Sequence, residues 1–511
     1  MKKFQKLLSV MLACLMLFVI GVPALAAENG CTITNPYAGI DFTTVNAYKT
    51  GLHTHTNASD GDQTLKASLE RHAEAGFDIV AITDHGTVNY TWEYDNADKL
   101  IHGALSLVGK SEGELVYLGK EGTFSDGTAY TYATAANGDD YLTLSNGKTI
   151  LRVPYGIENN AVSVNAHVNS WFTDYKDNTV TIYEDAVKGI EKLNGVCVIN
   201  HPGEYTKARY ALHTADAYNE SNPAYAYYIN KYATLIGNYD ACIGIDMNSK
   251  GDNRTRFDRK LWDILLTRFA ANGENVYGIA SSDAHQLRII DTGYTYLLMP
   301  ELTSAAARTA LENGEFFAGS HCIGNYEELA DIAAALKEFY GETELSAKVE
   351  ETARAMADRV AAIENGDMDA DEDIGITYSV LDDNGYCTAE TQPMITNIIV
   401  NDKTDTIEID SENALIVRFI SDGKLIATMK ADNAVLDLNE HADELGNYVR
   451  AEVFGEGGIL YTQAFLLNAE ENAGTSKVVN GVYFNLGFLD FLFAEFNNWI
   501  AVITRFFANL F

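Results

Sequence analysis

Histidines and carboxylates stand at the ends of apolar runs along this chain, and their spacing is that of metal ligands. In Gly51-Leu52-His53-Thr54-His55 the two histidines are two residues apart. Side chains at i and i+2 of a strand share one side, so His53 and His55 can reach one cation together. Asp60 follows in Ala58-Ser59-Asp60-Gly61. The apolar run Ile79-Val80-Ala81-Ile82 ends in Thr83-Asp84-His85, which puts His85 at a strand end. Glu121 closes a strand predicted over Leu115–Lys120, and a carboxylate with two oxygens can bridge two cations. His167 lies in Val164-Asn165-Ala166-His167-Val168, and His201 in Asn200-His201-Pro202-Gly203. Asp283 and His285 form another i, i+2 pair in Ser281-Ser282-Asp283-Ala284-His285. Taken singly, each is more often a hydrogen-bonded core group, and a lone HxH is a weak signal. The set has no thiolate and mixes imidazole with carboxylate, which suits Zn, Mn or Fe. His72, His102, His213, His321 and His441 lack the strand-end setting and read as ordinary.

Strand and helix patterns alternate from about Ala47 to Ser320. Strands are predicted at Asp78–Thr83, Leu115–Lys120, Val162–His167, Val196–Asn200, Ala241–Asn248 and Val276–Ser281. Helices are predicted at Thr64–Ala75, Tyr183–Leu193, Ala224–Ile236 and Arg259–Ala271. This alternation implies parallel strands joined by helices, and the number of units favours a barrel over residues 45–320. No GxGxxG follows a strand, which argues against a dinucleotide fold. Gly127–Asn146 reads as an inserted hairpin or lid. Residues 327–373 read as an acidic helical spacer. Residues 374–468 carry short strands separated by turns such as Ser421-Asp422-Gly423, the pattern of an immunoglobulin-like sandwich. With no ligand cluster, this unit is expected to fold apart from the barrel and to be dispensable for hydrolysis.

The 511 residues suit two to four domains. An apolar fraction of 47% excludes disorder of the whole chain. The formal charge of −36 argues against a nucleic-acid polymer as partner. Lys2, Lys3 and Lys6, the apolar run Leu7–Val22 and the small residues Ala24 and Ala26 read as a signal peptide over residues 1–26. A secreted or extracytoplasmic protein is expected. Cys14, Cys31, Cys197, Cys242, Cys322 and Cys387 leave an odd number after cleavage, and no CxxC pair occurs, so no disulfide framework is expected. Residues 482–511 form an apolar amphipathic tail with Phe488, Phe491, Phe496, Trp499, Phe506 and Phe507. Such a patch is expected to meet a membrane interface, a partner protein or the chain's own fold, and it makes cell-surface association an expectation.

His53-Thr54-His55, Thr83-Asp84-His85, Asn200-His201-Pro202 and Ser282-Asp283-Ala284-His285, in this order, resemble the four motifs of the PHP domain, named for polymerase and histidinol phosphatase proteins. The resemblance covers roughly residues 45–320, and Thr303–Ala318 is similar to that domain's closing helix. It implies an α/β fold, a distorted (β/α)7 TIM-like barrel with three divalent metals at the C-terminal strand ends, here followed by the small all-β sandwich. His53, His55, Glu121 and Asp283 would hold the first metal, and Glu121, His167 and His201 the second, with Glu121 as the bridge. Asp60, His85 and His285 would hold the third. Glu121, Asp283 and His201 are the expected catalytic groups. Paired cations about 3.5–4 Å apart can deprotonate a water for in-line attack on phosphorus. The ions would also dominate the local field of an acidic protein that takes a phosphorylated small molecule. Lys207 and Arg288 follow motif segments and are candidate phosphate contacts. The implied activity is a secreted metal-dependent phosphoesterase. A metallohydrolase acting on another bond, and a non-catalytic surface binding protein, are the competing readings.

Overall fold

The computed structural model describes residues 31–159, 167–176, 183–369, 375–389 and 392–473. The signal peptide and the apolar tail read from the sequence lie outside these residues. Among the described residues no helix is long and apolar enough to cross a membrane.

The site is built on two sheets. Strand β1 (Asn46–Gly51) pairs in parallel with β2 (Ile79–Val80), and helix α1 (Leu65–Glu74) crosses between them. Thr64 starts that helix by accepting a bond from the Ala67 N–H, and Leu65 and Leu69 bury its apolar face. Helix α2 (Lys99–Leu107) leads to a hairpin array, β3 (Glu121–Thr123), β4 (Ala129–Thr134), β5 (Asp140–Leu144) and β6 (Thr149–Arg152). β6 pairs in parallel with β2, so the array extends the first sheet sideways. The second sheet has the order β11-β10-β9-β8-β7, from β7 (Ile157–Asn159), β8 (Val168–Trp171), β9 (Val196–Ile199), β10 (Cys242–Asn248) and β11 (Tyr277–Ala280). β9, β10 and β11 are parallel, while β7 and β8 run as an antiparallel pair beside them. Helices α3 (Tyr183–Lys192), α4 (Pro202–Thr206), α5 (Pro223–Asn238) and α6 (Asp258–Ala270) lie on this half. Leu261, Trp262, Leu265, Leu266 and Phe269 form the buried stripe of α6.

The fold is the expected α/β type, but the distorted (β/α)7 barrel is not closed. The two sheets do not close into one ladder. They meet through isolated bridges, Thr54 with Ala284 on one flank and His85 with Glu158 on the other. The antiparallel strands, the hairpin array and a β2 of two residues interrupt the regular units. Leu115–Lys120 is irregular rather than a strand.

The C-terminal half is not set apart. β12 (Gly293–Met299) runs antiparallel to β1, and helix α7 (Ser304–Asn313) and β13 (Phe316–Ser320) follow. The two helices expected as a spacer are α8 (Tyr326–Tyr340) and α9 (Glu344–Glu364), and both bury apolar faces in the main core. The all-β region supplies β14 (Met394–Asn401), β15 (Thr406–Glu412), β16 (Ile416–Ser421), β17 (Lys424–Lys430), β18 (Val435–Asp437), β19 (Tyr448–Gly455), β20 (Gly458–Tyr461) and β21 (Phe465–Leu467). β14, β15 and β18 form one sheet, and its apolar face packs on that of β16 and β19. β20 pairs with β13, so the second layer continues the first sheet of the site. Ile33–Thr34 pairs with β21 and ties the start of the described chain to its end.

Candidate metal centre

The polar clusters gather where the two sheets meet. Five histidines, His53, His55, His85, His167 and His201, have a ring nitrogen within 3.5 Å of Glu158. Glu158 Oε1 is 3.2 Å from His167 Nδ1 and 3.2 Å from His201 Nε2, while Oε2 is 3.0 Å from His85 Nδ1 and 3.2 Å from His55 Nε2. His53 Nε2, His55 Nε2 and Asp283 Oδ1 make a triangle with edges of 3.1, 3.1 and 3.3 Å. At the mouth, Asp60 Oδ1 is 3.4 Å from His285 Nε2 and 3.6 Å from His85 Nε2. Three further groups of potential ligand atoms accompany the His53–His55–Asp283 triangle: His53 with Glu158 and His201, His85 with Glu158 and His167, and His55 with Asp60, His85 and His285.

These spacings fit cations. Bonds of about 2.1 Å to an ion set neighbouring ligand atoms about 3.0–3.4 Å apart, the edges of an octahedron or tetrahedron. Hydrogen bonds alone leave the cluster unsatisfied: Asp283 Oδ1, Glu158 Oε2, Asp60 Oδ1 and His53 Nδ1 are buried without a well-formed partner. Burial should neutralise such groups, yet the charges oppose it. Burial presses the His53 imidazole down, but Asp283 and Glu158 together raise it to about 10. Burial likewise resists ionisation of Glu158 and Asp283, and the surrounding imidazoles nonetheless hold both well below the usual carboxylate range. His55 and His285 are raised in the same sense, and divalent cations can enter such a centre by displacing these protons.

A second layer orients the imidazoles. Asp84 accepts from the Thr56 N–H (2.6 Å), the Thr56 hydroxyl (2.7 Å) and the Ser59 hydroxyl (2.7 Å). Ser59 Oγ in turn lies 3.3 Å from His55 Nδ1. Asp246 Oδ2 is 3.9 Å from His53 Nδ1. Tyr205 OH is 2.7 Å from His167 Nδ1, and Asn200 donates to Glu158 Oε1 at 2.6 Å. Such partners fix ring orientation around metals.

Eight of the nine ligands named from the sequence converge here: His53, His55, Asp60, His85, His167, His201, Asp283 and His285. Glu121 does not. It is exposed on the hairpin array, opposite Thr131, and Glu158 stands where the bridge was expected. The physical reason lies in the two segments. The run before Glu121 is not a buried strand, whereas Ile157-Glu158-Asn159 is fully buried. Gly156 lets that strand approach, since a Cβ there would sit 2.4 Å from the Ile82 carbonyl oxygen. A carboxylate inside Ile157–Asn159, soon after the apolar run Ile150-Leu151, was the available signal. Lys207 and Arg288 are both exposed, and neither touches the cluster. Lys250 and Glu204, which sequence reasoning passed over, do: Lys250 Nζ is 2.7 Å from Asp283 Oδ2, and Glu204 Oε2 is 3.4 Å from His201 Nδ1.

Residues 51–250 match the family model of the PHP domain. No curated protein matches the chain. Among solved structures, it is similar to a two-domain protein from Bacteroides vulgatus ATCC 8482 described as containing a predicted PHP-like metal-dependent phosphoesterase. That likeness has 15% identity and a TM-score of 0.29, and covers 58% of this chain and 69% of that one. A lesion-specific endonuclease, PfuEndoQ from Pyrococcus furiosus, is 12% identical with a TM-score of 0.28, over 52% of this chain and 56% of its own. The segment that matches the PHP family model, Gly51 to Lys250, holds every group of the cluster except Asp283 and His285.

Proposed function

We propose that the chain is a secreted, metal-dependent phosphoesterase that hydrolyses a phosphorylated small molecule in a trinuclear centre. The observation that carries this reading is the set of buried carboxylate oxygens at the sheet junction that lack partners while imidazole nitrogens surround them. His53, His55, Glu158 and Asp283 would hold one cation, and Glu158, His167 and His201 a second. Asp60, His85 and His285 would hold the third. When bound, divalent cations activate a water and offset the charge that develops on a phosphoryl group. The protein's own residues do the rest. Glu158 spans two of the sites, Asp84 and Ser59 hold the His53–His55 loop in place, and Tyr205 keeps His167 turned toward Glu158. The all-β region, read as an immunoglobulin-like sandwich, then serves as a brace for this centre. Secretion rests on the N-terminal sequence.

The test is a screen of the full-length mature chain on phosphomonoesters, phosphodiesters and nucleotides, loaded in turn with Zn, Mn and Fe, with metal content measured in parallel. Metal-dependent release of phosphate supports the reading. Bound metal with no turnover on any phosphate ester would leave a metallohydrolase for another bond.

A further inference from the structure

His201, Lys250 and Asp283 all hold left-handed backbone, with φ of 26°, 52° and 46°. Side chains disfavour that region, and residues kept there against the cost gather at functional sites. His201 and Asp283 are candidate ligands. Lys250 is not, because an ammonium has no lone pair to give. It opens a run of three left-handed residues with Gly251 (φ 64°) and Asp252 (φ 59°), directly after β10.

The run is braced. The buried Asp252 carboxylate accepts from the Gly324 N–H at 2.7 Å and from Arg259 Nη1 at 2.9 Å. Its result is to bring the Lys250 ammonium to 2.7 Å from Asp283 Oδ2 and 3.2 Å from Glu204 Oε2. An ammonium has three N–H bonds. The ion pairs with Asp283 and Glu204 do not use up these three donors. Lys250 lines a cavity of about 300 Å³ together with Asn253, Arg254, Asp283, His285 and Gln286. The lining of this cavity thus combines candidate metal ligands, Asp283 and His285, with the cations of Lys250 and Arg254.

We propose that Lys250 binds the phosphoryl group of the substrate and that the substrate is a small phosphomonoester. The inference rests on the phosphoesterase reading above. A phosphoryl group in this cavity meets the Lys250 ammonium beside Asp283 and His285, which line the same cavity. Its volume lies at the small end of ligand pockets, enough for a phosphoryl group and a small alcohol portion. Glu204 holds the ammonium in place without neutralising the cavity, because it also pairs with Arg254 Nη1 at 2.7 Å.

The experiment uses the full-length, metal-loaded chain as wild type, Lys250→Gln and Lys250→Arg. Metal content, calorimetric affinity for inorganic phosphate, and kcat and KM on p-nitrophenyl phosphate are measured on each. Lys250→Gln should keep its metal, bind phosphate about tenfold to hundredfold more weakly and show a KM raised to match. Lys250→Arg, which keeps the charge on a broader, planar head, should recover part of the loss. Unchanged phosphate affinity and KM in Lys250→Gln would overturn the proposal, and so would loss of its metal, which would make the lysine a support for Asp283 only. If Lys250→Gln does not fold, Lys250→Met takes its place, and unchanged phosphate affinity and KM there overturn the proposal equally. A wild type that takes up metal but neither binds nor releases phosphate instead brings down the phosphoesterase reading itself.

Discussion

Two regions of this protein bury many charges, and they compensate them differently. Between α6, α8 and the C-terminal strands, Arg259, Arg418 and Arg450 meet Asp252, Asp263, Glu328 and Glu452. Arg450 grips both oxygens of Asp263 at 2.7 and 2.8 Å and reaches Glu452 at 2.7 Å. Arg418 pairs with Glu452 at 2.9 Å, and Arg259 joins Glu328 at 2.7 Å to Asp252 at 2.9 Å. In this belt the counter-charges come from side chains. At the sheet junction the carboxylates face imidazoles, and several oxygens stay without partners. Within the belt only Glu328 Oε1 and Arg418 Nε lack a hydrogen-bond partner, and each carboxylate faces a guanidinium, whereas at the junction the unpartnered atoms of Glu158, Asp283, Asp60 and His53 converge on one another. Density of buried charge therefore does not mark a site; convergence of unpartnered ligand atoms does.

The strongest way to break this contrast is to remove the junction's shared carboxylate. Glu158→Gln leaves the shape but removes the charge that five histidines face. Metal content should fall, and turnover should drop by more than about a hundredfold. Glu121→Gln, on the exposed hairpin, should change neither by more than about twofold. Elemental analysis beside phosphatase rates separates the two. Comparable losses in both variants would place the bridge elsewhere.

The belt gives the next largest effect, on stability rather than chemistry. Arg450→Met strands Asp263 in a buried setting, while Glu452 keeps Arg418, and breaking one side of such a pair costs about 3–5 kcal/mol. Denaturant unfolding should detect this, while the metal content of the protein that remains folded should hold. A chain ending near Gly324 should fare worse still. It loses Glu328, Arg418 and the β20 partner of β13, and leaves an open sheet edge. Aggregation or loss of metal is the expected outcome, against the independence that the sequence suggested. A soluble truncated chain with full metal would show the belt to be an ornament of the fold.

Much of the junction was legible in the sequence because metal ligands sit at strand ends, where local pattern and function coincide. His53, His55, His85, His201, Asp283 and His285 each follow or close an apolar run, so reading the strands located the ligands. Glu158 escaped because its strand is only three residues long and follows the irregular Pro154-Tyr155-Gly156. Lys250 escaped because nothing in Asn248-Ser249-Lys250-Gly251 reveals that the turn is left-handed. The helices were legible from their apolar stripes. The union of the C-terminal strands with the first sheet was not, because pairing β20 with β13 joins residues more than a hundred positions apart. Short-range pattern identifies such strands without naming their neighbours.

The smallest expected effect concerns His72, a third way of burying a group that can ionise. It lies beneath Thr54, between the two first ligands, with Nδ1 2.7 Å from the Ser68 carbonyl oxygen and Nε2 3.3 Å from the Thr54 hydroxyl. Burial, with Arg71 and Lys49 nearby, pushes it down to about 4, whereas carboxylates carry His53 up to about 10. His72 therefore stays neutral, donating from Nδ1 and accepting at Nε2. In the unfolded chain its pKa returns to about 6.5. Between these values the unfolded state holds a proton that the folded state lacks, so stability falls as pH drops from about 6.5 to about 4. The full effect approaches about 3 kcal/mol. Replacing it by glutamine, which can make both bonds but does not titrate, should flatten that part of the profile. With both proteins stripped of metal by chelation so that ligand protons contribute alike, the melting midpoint of wild type minus that of His72→Gln should fall steadily as pH drops from about 6.5 to about 4. Parallel curves from pH 6.5 to 4 would mean that His72 is charged in the folded protein and that the loop carrying His53 and His55 rests on a cation after all.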